Sequence, residues 1–236
     1  MKLALIGYGA MGQLVEQQAE AGGDQIGVKL TSNESDQNVD ELAAMLRRHD
    51  VAIDFSVAAI VLKNVEACAL AGVPLVEGTT GWKDQESRAN EIITEHGGSL
   101  VYGANFSIGV NVFYRIVRNA AQLFSGLDQY EAFIEEQHHS RKRDAPSGTA
   151  LQLKNVLAEF IKAEIPIAST RAGHIPGTHR VGFDSAADQI TLTHMARSRE
   201  GFAAGALLAA RWIIGRKGVF EFSQVIDELL IGSHRQ

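Results

Sequence analysis

The sequence predicts an α/β protein with a Rossmann-type, doubly wound parallel sheet and a second α+β domain. Three observations carry this. Short apolar runs alternate with amphipathic segments of helical length over the first hundred residues, the rhythm of a parallel sheet covered on both faces. A glycine-rich turn, Gly7-Tyr8-Gly9-Ala10-Met11-Gly12, follows the first apolar run directly. Beyond about Asn105 the rhythm changes to longer helices and alternating polar–apolar segments, as in a sheet with one face buried.

The elements follow in order. Lys2 to Ile6 reads as a buried strand and Met11 to Ala21 as a helix. Gln25 to Leu30 is a second strand, and Val39, Leu42 and Leu46 set a helix over Val39 to Arg48. Val51 to Phe55 is a third strand. Val57 to Ala71 is a helix that Gly72 and Pro74 stop. Pro74 to Val76 and Ser99 to Tyr102 are strands, with a helix over Lys83 to Glu95 between them. Ile108 to Phe124 is a long helix. Asp128 to Glu136 is a strand with Tyr130, Ala132 and Ile134 on its buried face. Helices are expected at Ala150 to Ala163, Phe202 to Ile214 and Glu221 to Ile231, and a strand at Gln189 to Met195. The dinucleotide-binding domain is expected over 1–106, completed by a C-terminal helix within 213–236, and the substrate domain over 107–212.

Composition excludes several classes. The chain has 236 residues, 45% hydrophobic and 21% charged, with net charge −6, a globular profile and a poor one for binding nucleic acid. Its single cysteine, Cys68, can form no internal disulfide and reads as a small buried hydrophobe. The N-terminus enters a strand with no basic-then-apolar leader, and no apolar run is long enough to span a bilayer. A soluble cytoplasmic protein without membrane partners is expected.

Ligands of such sheets bind beyond the carboxyl ends of the strands. Those junctions are Gly7 to Gly12, Phe55-Ser56, Gly78-Thr79-Thr80-Gly81 and Gly103-Ala104-Asn105-Phe106-Ser107. The first has the G-x-G-x-x-G pattern between a strand and a helix. Gly7 permits the tight turn, Gly9 lets backbone approach a pyrophosphate, and Gly12 allows close helix packing. An acidic residue is expected about 20 residues further on to hold the ribose 2′-hydroxyl. The region instead reads Lys29-Leu30-Thr31-Ser32-Asn33, with Glu34 and Asp36 assigned to the following loop. Thr31 and Ser32 tolerate a 2′-phosphate that a carboxylate would repel, which points toward NADPH or toward use of both nicotinamides.

The densest polar segment is Glu135-Glu136-Gln137-His138-His139-Ser140-Arg141-Lys142-Arg143-Asp144-Ala145-Pro146-Ser147-Gly148-Thr149. On charge alone it is a solvated loop. Spacing argues for more: His138 and Lys142 are four apart and share one side of a helix or a strand. A neutral imidazole beside a cation suits proton delivery near neutral pH. No cysteine or third histidine stands at ligand spacing in this segment, so no metal is expected. Ser147 is placed to cap the helix that follows, and the first-turn amides can hold a carboxylate. A nucleophilic triad of Ser147, a histidine and Asp144 lacks the strained turn that such a serine needs.

The segment from His138 to Ala150 resembles the signature of the dihydrodipicolinate reductase family of lysine biosynthesis. Ile53 to Ser56, Gly78 to Gly81, Ala104 to Asn111 and Gly215 to Phe220 resemble the same family, so the resemblance runs nearly end to end. It implies an oxidoreductase that reduces a cyclic imine dicarboxylate with NADPH or NADH, hydride adding to C4 of the unsaturated ring. It implies that His138 is the catalytic acid/base and Lys142 the proton donor. His139, Gly148, Thr149 and Arg199 match substrate-binding positions. Gly7 to Gly12, Gly78 to Thr80 and Gly103 to Phe106 match cofactor positions, and the sequence reading adds Thr31, Ser32 and Phe55. The family implies a homotetramer built through the second domain. The acidic–basic pair usual after the second strand is replaced by Thr31-Ser32, and the usual arginine before the glycine-loop methionine is missing. Arg171 to Asp184 is compact where the family often has an insertion, leaving His174, His179 and Arg180 for a lid or an oligomer contact. The alternative is a related NAD(P)-dependent reductase of another imine or a keto acid.

Overall fold

The computed structural model describes residues 1–34 and 37–232; the sequence reading of Asp36 and of 233–236 falls outside the described residues. The chain forms two compact units, Met1–Ile108 with Glu200–Gln236, and Gly109–Arg199.

The chain enters the first unit as β1 (Lys2–Ile6), α1 (Ala10–Ala21), β2 (Gln25–Leu30), α2 (Val39–Leu46), β3 (Val51–Asp54), α3 (Val61–Ala71), β4 (Leu75–Glu77), α4 (Glu86–Glu95) and β5 (Ser99–Tyr102). It continues as α5 (Ile108–Phe124), β6 (Glu131–His138), α6 (Gly148–Ala158), β7 (Ile167–Arg171), β8 (Thr178–Asp184) and β9 (Gln189–Met195). It closes with α7 (Glu200–Ile213), β10 (Gly218–Glu221) and α8 (Phe222–Gly232).

The first unit's sheet has the order β10-β5-β4-β3-β1-β2 and every pair is parallel. β1, β3 and β4 are buried almost throughout, because helices cover both faces. Local chemistry sets the helix ends. Asn38 and Glu41 form a reciprocal capping box on α2. Gly72 ends α3 in the left-handed conformation, φ 71°.

The second unit's sheet has the order β7-β6-β8-β9, with β6 and β7 parallel and the other pairs antiparallel. One face packs on α5 and α6 through Phe113, Val117, Leu153 and Leu157, which meet Ala132, Ile134, Val181 and Phe183. The other face carries Glu135, Gln137, Arg180, Thr191 and Thr193, and Met195 is 63% exposed there.

Expectation and structure differ in instructive places. β6 runs on to His138, so Glu136 and His138 extend its buried face. α6 stops at Ala158 rather than Ala163. β7, β8 and β10 were not expected. β7 is mostly exposed and polar, β8 begins Thr-His-Arg, and β10 is a four-residue edge strand. The domain boundary also differs from the expected residue 212, since α7 belongs to the first unit. A Cβ on Gly205 of α7 would stand 1.7 Å from the Phe106 carbonyl oxygen, so that glycine lets the helix lie directly on the loop after β5.

Candidate active site

The first unit presents a crevice of about 360 Å³ lined by Met11, Phe55, Ser56, Gly78, Thr79 and Thr80, among others. Its glycines divide their tasks. Gly7 has φ 81°, and a Cβ there would lie 2.5 Å from the Phe55 carbonyl oxygen. A Cβ on Gly12 would lie 2.3 Å from the Gly7 carbonyl oxygen. A Cβ on Gly9 would meet nothing within 4 Å, so Gly9 faces open space at the N-terminus of α1. That terminus has no side-chain cap and no acidic residue in its first turn. Its orphan amides therefore suit a pyrophosphate, and the residues present fit a dinucleotide. A Cβ on Gly78 would strike the Phe55 ring at 2.2 Å, so Gly78 shapes the crevice as much as it lines it.

Beneath the crevice, Asp54 and Glu77 are register partners at the ends of β3 and β4, both fully buried. Asp54 accepts from the Ser56 amide at 2.7 Å and from the Asn64 side chain at 2.7 Å. Glu77 accepts from the Thr79 amide at 2.7 Å. Burial, reinforced by the neighbouring Asp54 charge, pushes the Glu77 carboxyl well above the usual range. Burial also raises the Asp54 carboxyl, opposed by its hydrogen bonds from Ser56 and Asn64. The pair pins the two loops that line the crevice.

Glu34, assigned to the loop after β2, sits there in a short 3₁₀ turn, Ser32–Glu34. Glu34 folds back so that its Oε2 accepts from the Thr31 amide at 2.6 Å and the Thr31 hydroxyl at 2.9 Å. These bonds hold its carboxyl below the usual range. Lys29 pairs with Glu16 at 2.7 Å and lies over the Tyr8 ring, while the Tyr8 hydroxyl also bonds Glu16. After β5, the Asn105 side chain accepts from the Ser107 amide at 2.8 Å. Phe106 is fully buried between Phe55 and Phe222. Its ring supports the loop from within, so of the Gly103 to Phe106 run only the preceding residues remain for contact with a nucleotide.

The second unit assembles its polar residues at the His138 end of the sheet. Glu136 is buried and takes a two-pronged ion pair from Arg171, at 2.9 and 2.7 Å. It also accepts from the Ser147 amide at 3.3 Å and from His138 Nδ1. Burial alone would raise its carboxyl, but hydrogen bonds from Arg171, Ser169 and His138 outweigh it and hold it at about 2. An ionised carboxylate only accepts, so Nδ1 of His138 carries the hydrogen and Nε2 is left with its lone pair. Burial lowers the His138 imidazole, opposed by Glu136 and assisted by the Lys142 charge. His138 is thus neutral near pH 7.

Ser147 caps α6 through the Ala150 amide at 3.2 Å, and its hydroxyl lies 3.1 Å from His179 Nε2. His179 packs edge-on against His138, with ring centroids 5.1 Å apart. Burial and the neighbouring His138 push it down to about 4. Lys142, half-exposed, pairs with Asp144 at 2.9 Å. Nδ1 of His139 and of His179 have no partner among the described residues although both atoms are buried; buried polar atoms of this kind are ordinarily met by water or a ligand. Gly148 is exposed in the first turn of α6, and Thr149 bonds Tyr114. Arg199 is exposed beyond β9. Glu136, His138 and His179 each bring a ligating atom within 4.8 Å of the others. Arg171 already occupies both Glu136 oxygens, so a metal ion would meet a guanidinium at close range.

The two halves of the chain each match a family model: "Dihydrodipicolinate reductase, N-terminus" over residues 1–106 and "Dihydrodipicolinate reductase, C-terminus" over 109–226. The chain belongs to the dihydrodipicolinate reductase family. A 4-hydroxy-tetrahydrodipicolinate reductase of Christiangramia forsetii is 38% identical over 241 residues, covering 97% of this chain and 99% of the relative. That of Archaeoglobus fulgidus is 36% identical over 96% of this chain and all of the relative. The fold is that of a dipicolinate-bound dihydrodipicolinate reductase from Paenisporosarcina sp. TG-14, with TM-score 0.74, 20% identity, and coverage of 94% and 97% of the two chains.

The sequence reading named His138, Lys142 and Ser147 but gave no role to Glu136, which bonds His138, or to Arg171, which bonds Glu136. Of the three residues left between a lid and an oligomer contact, His179 is in the buried cluster, Arg180 pairs with Glu135 on the opposite sheet face at 3.0 Å, and His174 lies exposed between β7 and β8. A one-residue step along β8 separates the first two. Gly177 was also missed. A Cβ there would stand 3.1 Å from His138 Nε2.

Proposed function

We propose that this chain reduces 4-hydroxy-tetrahydrodipicolinate, through the cyclic imine dicarboxylate formed by loss of water, to tetrahydrodipicolinate in the diaminopimelate route to lysine. The observation that carries this reading is the buried Arg171–Glu136–His138 chain standing beside Lys142 and the N-terminus of α6. It combines a proton-transferring group of fixed tautomer with cationic and amide donors suited to an anionic ring.

The bound nicotinamide supplies a hydride. This chain's residues do the rest. Glu136 holds the proton on His138 Nδ1, so that Nε2 is the atom that exchanges protons with the substrate. Negative charge builds on the ring as C4 is reduced, and a nearby cation lowers that barrier. Lys142 supplies the charge and the proton, giving up Asp144 when substrate arrives. His139, Arg199 and the first-turn amides of Gly148 and Thr149 take the two substrate carboxylates. Gly7 to Gly12, Thr31, Phe55, Gly78 to Thr80 and Gly103 to Asn105 bind the nucleotide. The uncovered face of the second sheet supports assembly into a homotetramer. No helix among the described residues is long and apolar enough to cross a membrane, and a cytoplasmic location fits the pathway.

The test is a steady-state assay with the imine dicarboxylate, set against simple keto acids. Lys142→Ala is expected to lower kcat by about 10²- to 10³-fold while nucleotide affinity persists. Near-normal turnover in that variant removes the role given to Lys142, and preference for a keto acid removes the substrate.

A further inference from the structure

The loops that line the nucleotide crevice grow out of a row of titratable side chains at the ends of β3, β4 and β5. Asp54 and Glu77 are register partners, and Tyr102 is the partner of Glu77 on its other side. These three share the sheet face of Ala52, Leu75 and Leu100, which pack beneath α3. Each carboxyl turns back on the loop that follows its own strand. Asp54 accepts from the Ser56 amide and Glu77 Oε1 from the Thr79 amide, both at 2.7 Å. The two loops held in this way supply Phe55, Ser56, Gly78, Thr79 and Thr80 to the crevice. The carboxyls are unequally served. The Asn64 side chain also donates to Asp54, at 2.7 Å, whereas Glu77 Oε2 is buried with no partner among the described residues. All of these donors are neutral. Of the residues that α3 buries, only Cys68 titrates, and burial together with the two carboxyls pushes its thiol up. Tyr102 donates to Glu86 of α4, and Glu221 of β10 acts on it from across β5.

Two carboxyls side by side in a dry site, met by neutral donors, resist ionising together. Asp54 has the better claim to the charge, because two groups donate to it and one to Glu77. Burial and the Asp54 charge raise Glu77 accordingly. We propose that Glu77 is a positioning residue of the nucleotide crevice: uncharged, it holds the loop from Gly78 to Thr80 in its binding shape, and on ionising it releases that loop, so that nucleotide affinity falls as pH rises. The proposal rests on the nicotinamide-reductase reading above and deepens it. A carboxyl raised by its surroundings is uncharged below its elevated value and charged above it, which sets the sign. Once charged, Glu77 relieves its repulsion by Asp54 only by turning toward water. Its strand cannot follow, since the Gly78 amide donates to the Asp54 carbonyl and the Gly103 amide to the Glu77 carbonyl. The side chain therefore swings alone and gives up the Thr79 amide. Thr79 transmits the change: its hydroxyl is buried with no partner among the described residues, and its carbonyl accepts from the Trp82 indole at 2.9 Å.

The test follows NADH, which has no 2′-phosphate to titrate, by isothermal titration calorimetry from about pH 6 to about pH 9, the span in which buried glutamates titrate. The parent's dissociation constant is expected to rise at least about tenfold across it. Glu77→Gln stays uncharged and keeps an acceptor for the Thr79 amide. It should match the parent at the acid end to within about threefold and lose the slope. Glu77→Leu is uncharged but lacks the acceptor, and should bind at least about tenfold more weakly than Glu77→Gln at every pH. Trp82 gives a second readout that needs no nucleotide. In a Trp212→Phe background its emission should titrate over the same span, and Glu77→Gln should flatten it. An affinity that does not fall with pH overturns the proposal, as does a slope that Glu77→Gln leaves intact or a Trp82 emission that stays flat in the parent. If Glu77→Leu fails to fold, the comparison of the parent with Glu77→Gln decides. A parent chain that binds neither NADH nor NADPH at any pH would instead defeat the reductase reading itself.

Discussion

Glu136 decides how His138 behaves, although it touches neither end of the proposed reaction. Its carboxylate is held ionised by Arg171 and in turn raises the His138 imidazole against the lowering effect of burial. Glu136→Gln removes that support. The His138 pKa should drop further, moving the acid limb of the kcat/KM profile to lower pH. The maximal rate should fall by about 10²-fold as the imidazole loses its fixed tautomer. A rate loss with an unmoved acid limb would mean that Glu136 only packs. The residue scale also shows where sequence reading stops. His138, Lys142 and Ser147 were legible because they fall within one short segment whose spacing can be counted. Arg171 lies 35 residues from Glu136 and His179 lies 32 from Ser147. They meet only because β7 and β8 flank β6, and neither strand was visible in the pattern.

At the scale of elements, the glycine turn and the cap of α6 make separable predictions. Gly9 has φ −82°, which any residue adopts, and its missing Cβ would enter empty space. Gly9→Ala should leave the melting temperature within a degree or two, roughly the effect of a surface substitution, and weaken nucleotide binding at least about tenfold. Gly12→Ala drives a methyl into the Gly7 carbonyl and should destabilise the chain by about 1–3 kcal/mol, an overpacking penalty. Thermal unfolding beside nucleotide titration distinguishes the two. Ser147→Ala removes a helix cap and should cost about 1 kcal/mol in urea unfolding, with a rise in KM for the imine as the α6 N-terminus loosens. The helices and most parallel strands were legible because apolar spacing and glycine stops set them locally. β7, β8 and β10 were not. Their neighbours, rather than their own composition, hold them in a sheet, and β8 spends its buried positions on His179 as well as Val181 and Phe183. Glu34 was seen but assigned to a loop, since only the turn after β2 returns its carboxylate to the strand end.

For the whole molecule, buried titratable groups tilt the two units in opposite directions with pH. In the second unit, His179 is neutral and buried, down at about 4 against an ordinary 6.5. The unfolded chain takes up its proton first as pH falls. Stability is therefore full above pH 6.5 and declines as pH falls through 4, by up to about 3 kcal/mol. Glu136, at about 2, extends the loss below pH 4.5. In the first unit, Glu77 is raised, so its contribution is present at low pH and is lost as pH rises through its elevated value. Both tryptophans, Trp82 and Trp212, lie in the first unit. At pH 4.5 the urea midpoint from far-ultraviolet circular dichroism should fall ahead of the midpoint from tryptophan fluorescence. Coincident midpoints at every pH would show that the units unfold as one.

The path of the chain through the two units carries a consequence for synthesis. The first unit is discontinuous, made of Met1–Ile108 and Glu200–Gln236, whereas the second is one unbroken stretch between them. A ribosome finishes the second unit while the first still lacks α7, β10 and α8. Until β10 arrives, β5 is an unpaired edge, the kind of strand that recruits other chains. The nucleotide-binding unit, although begun first, must be completed last. A nascent chain halted at residue 199 should therefore resist protease within 109–199 and remain cleavable, and prone to aggregate, before it.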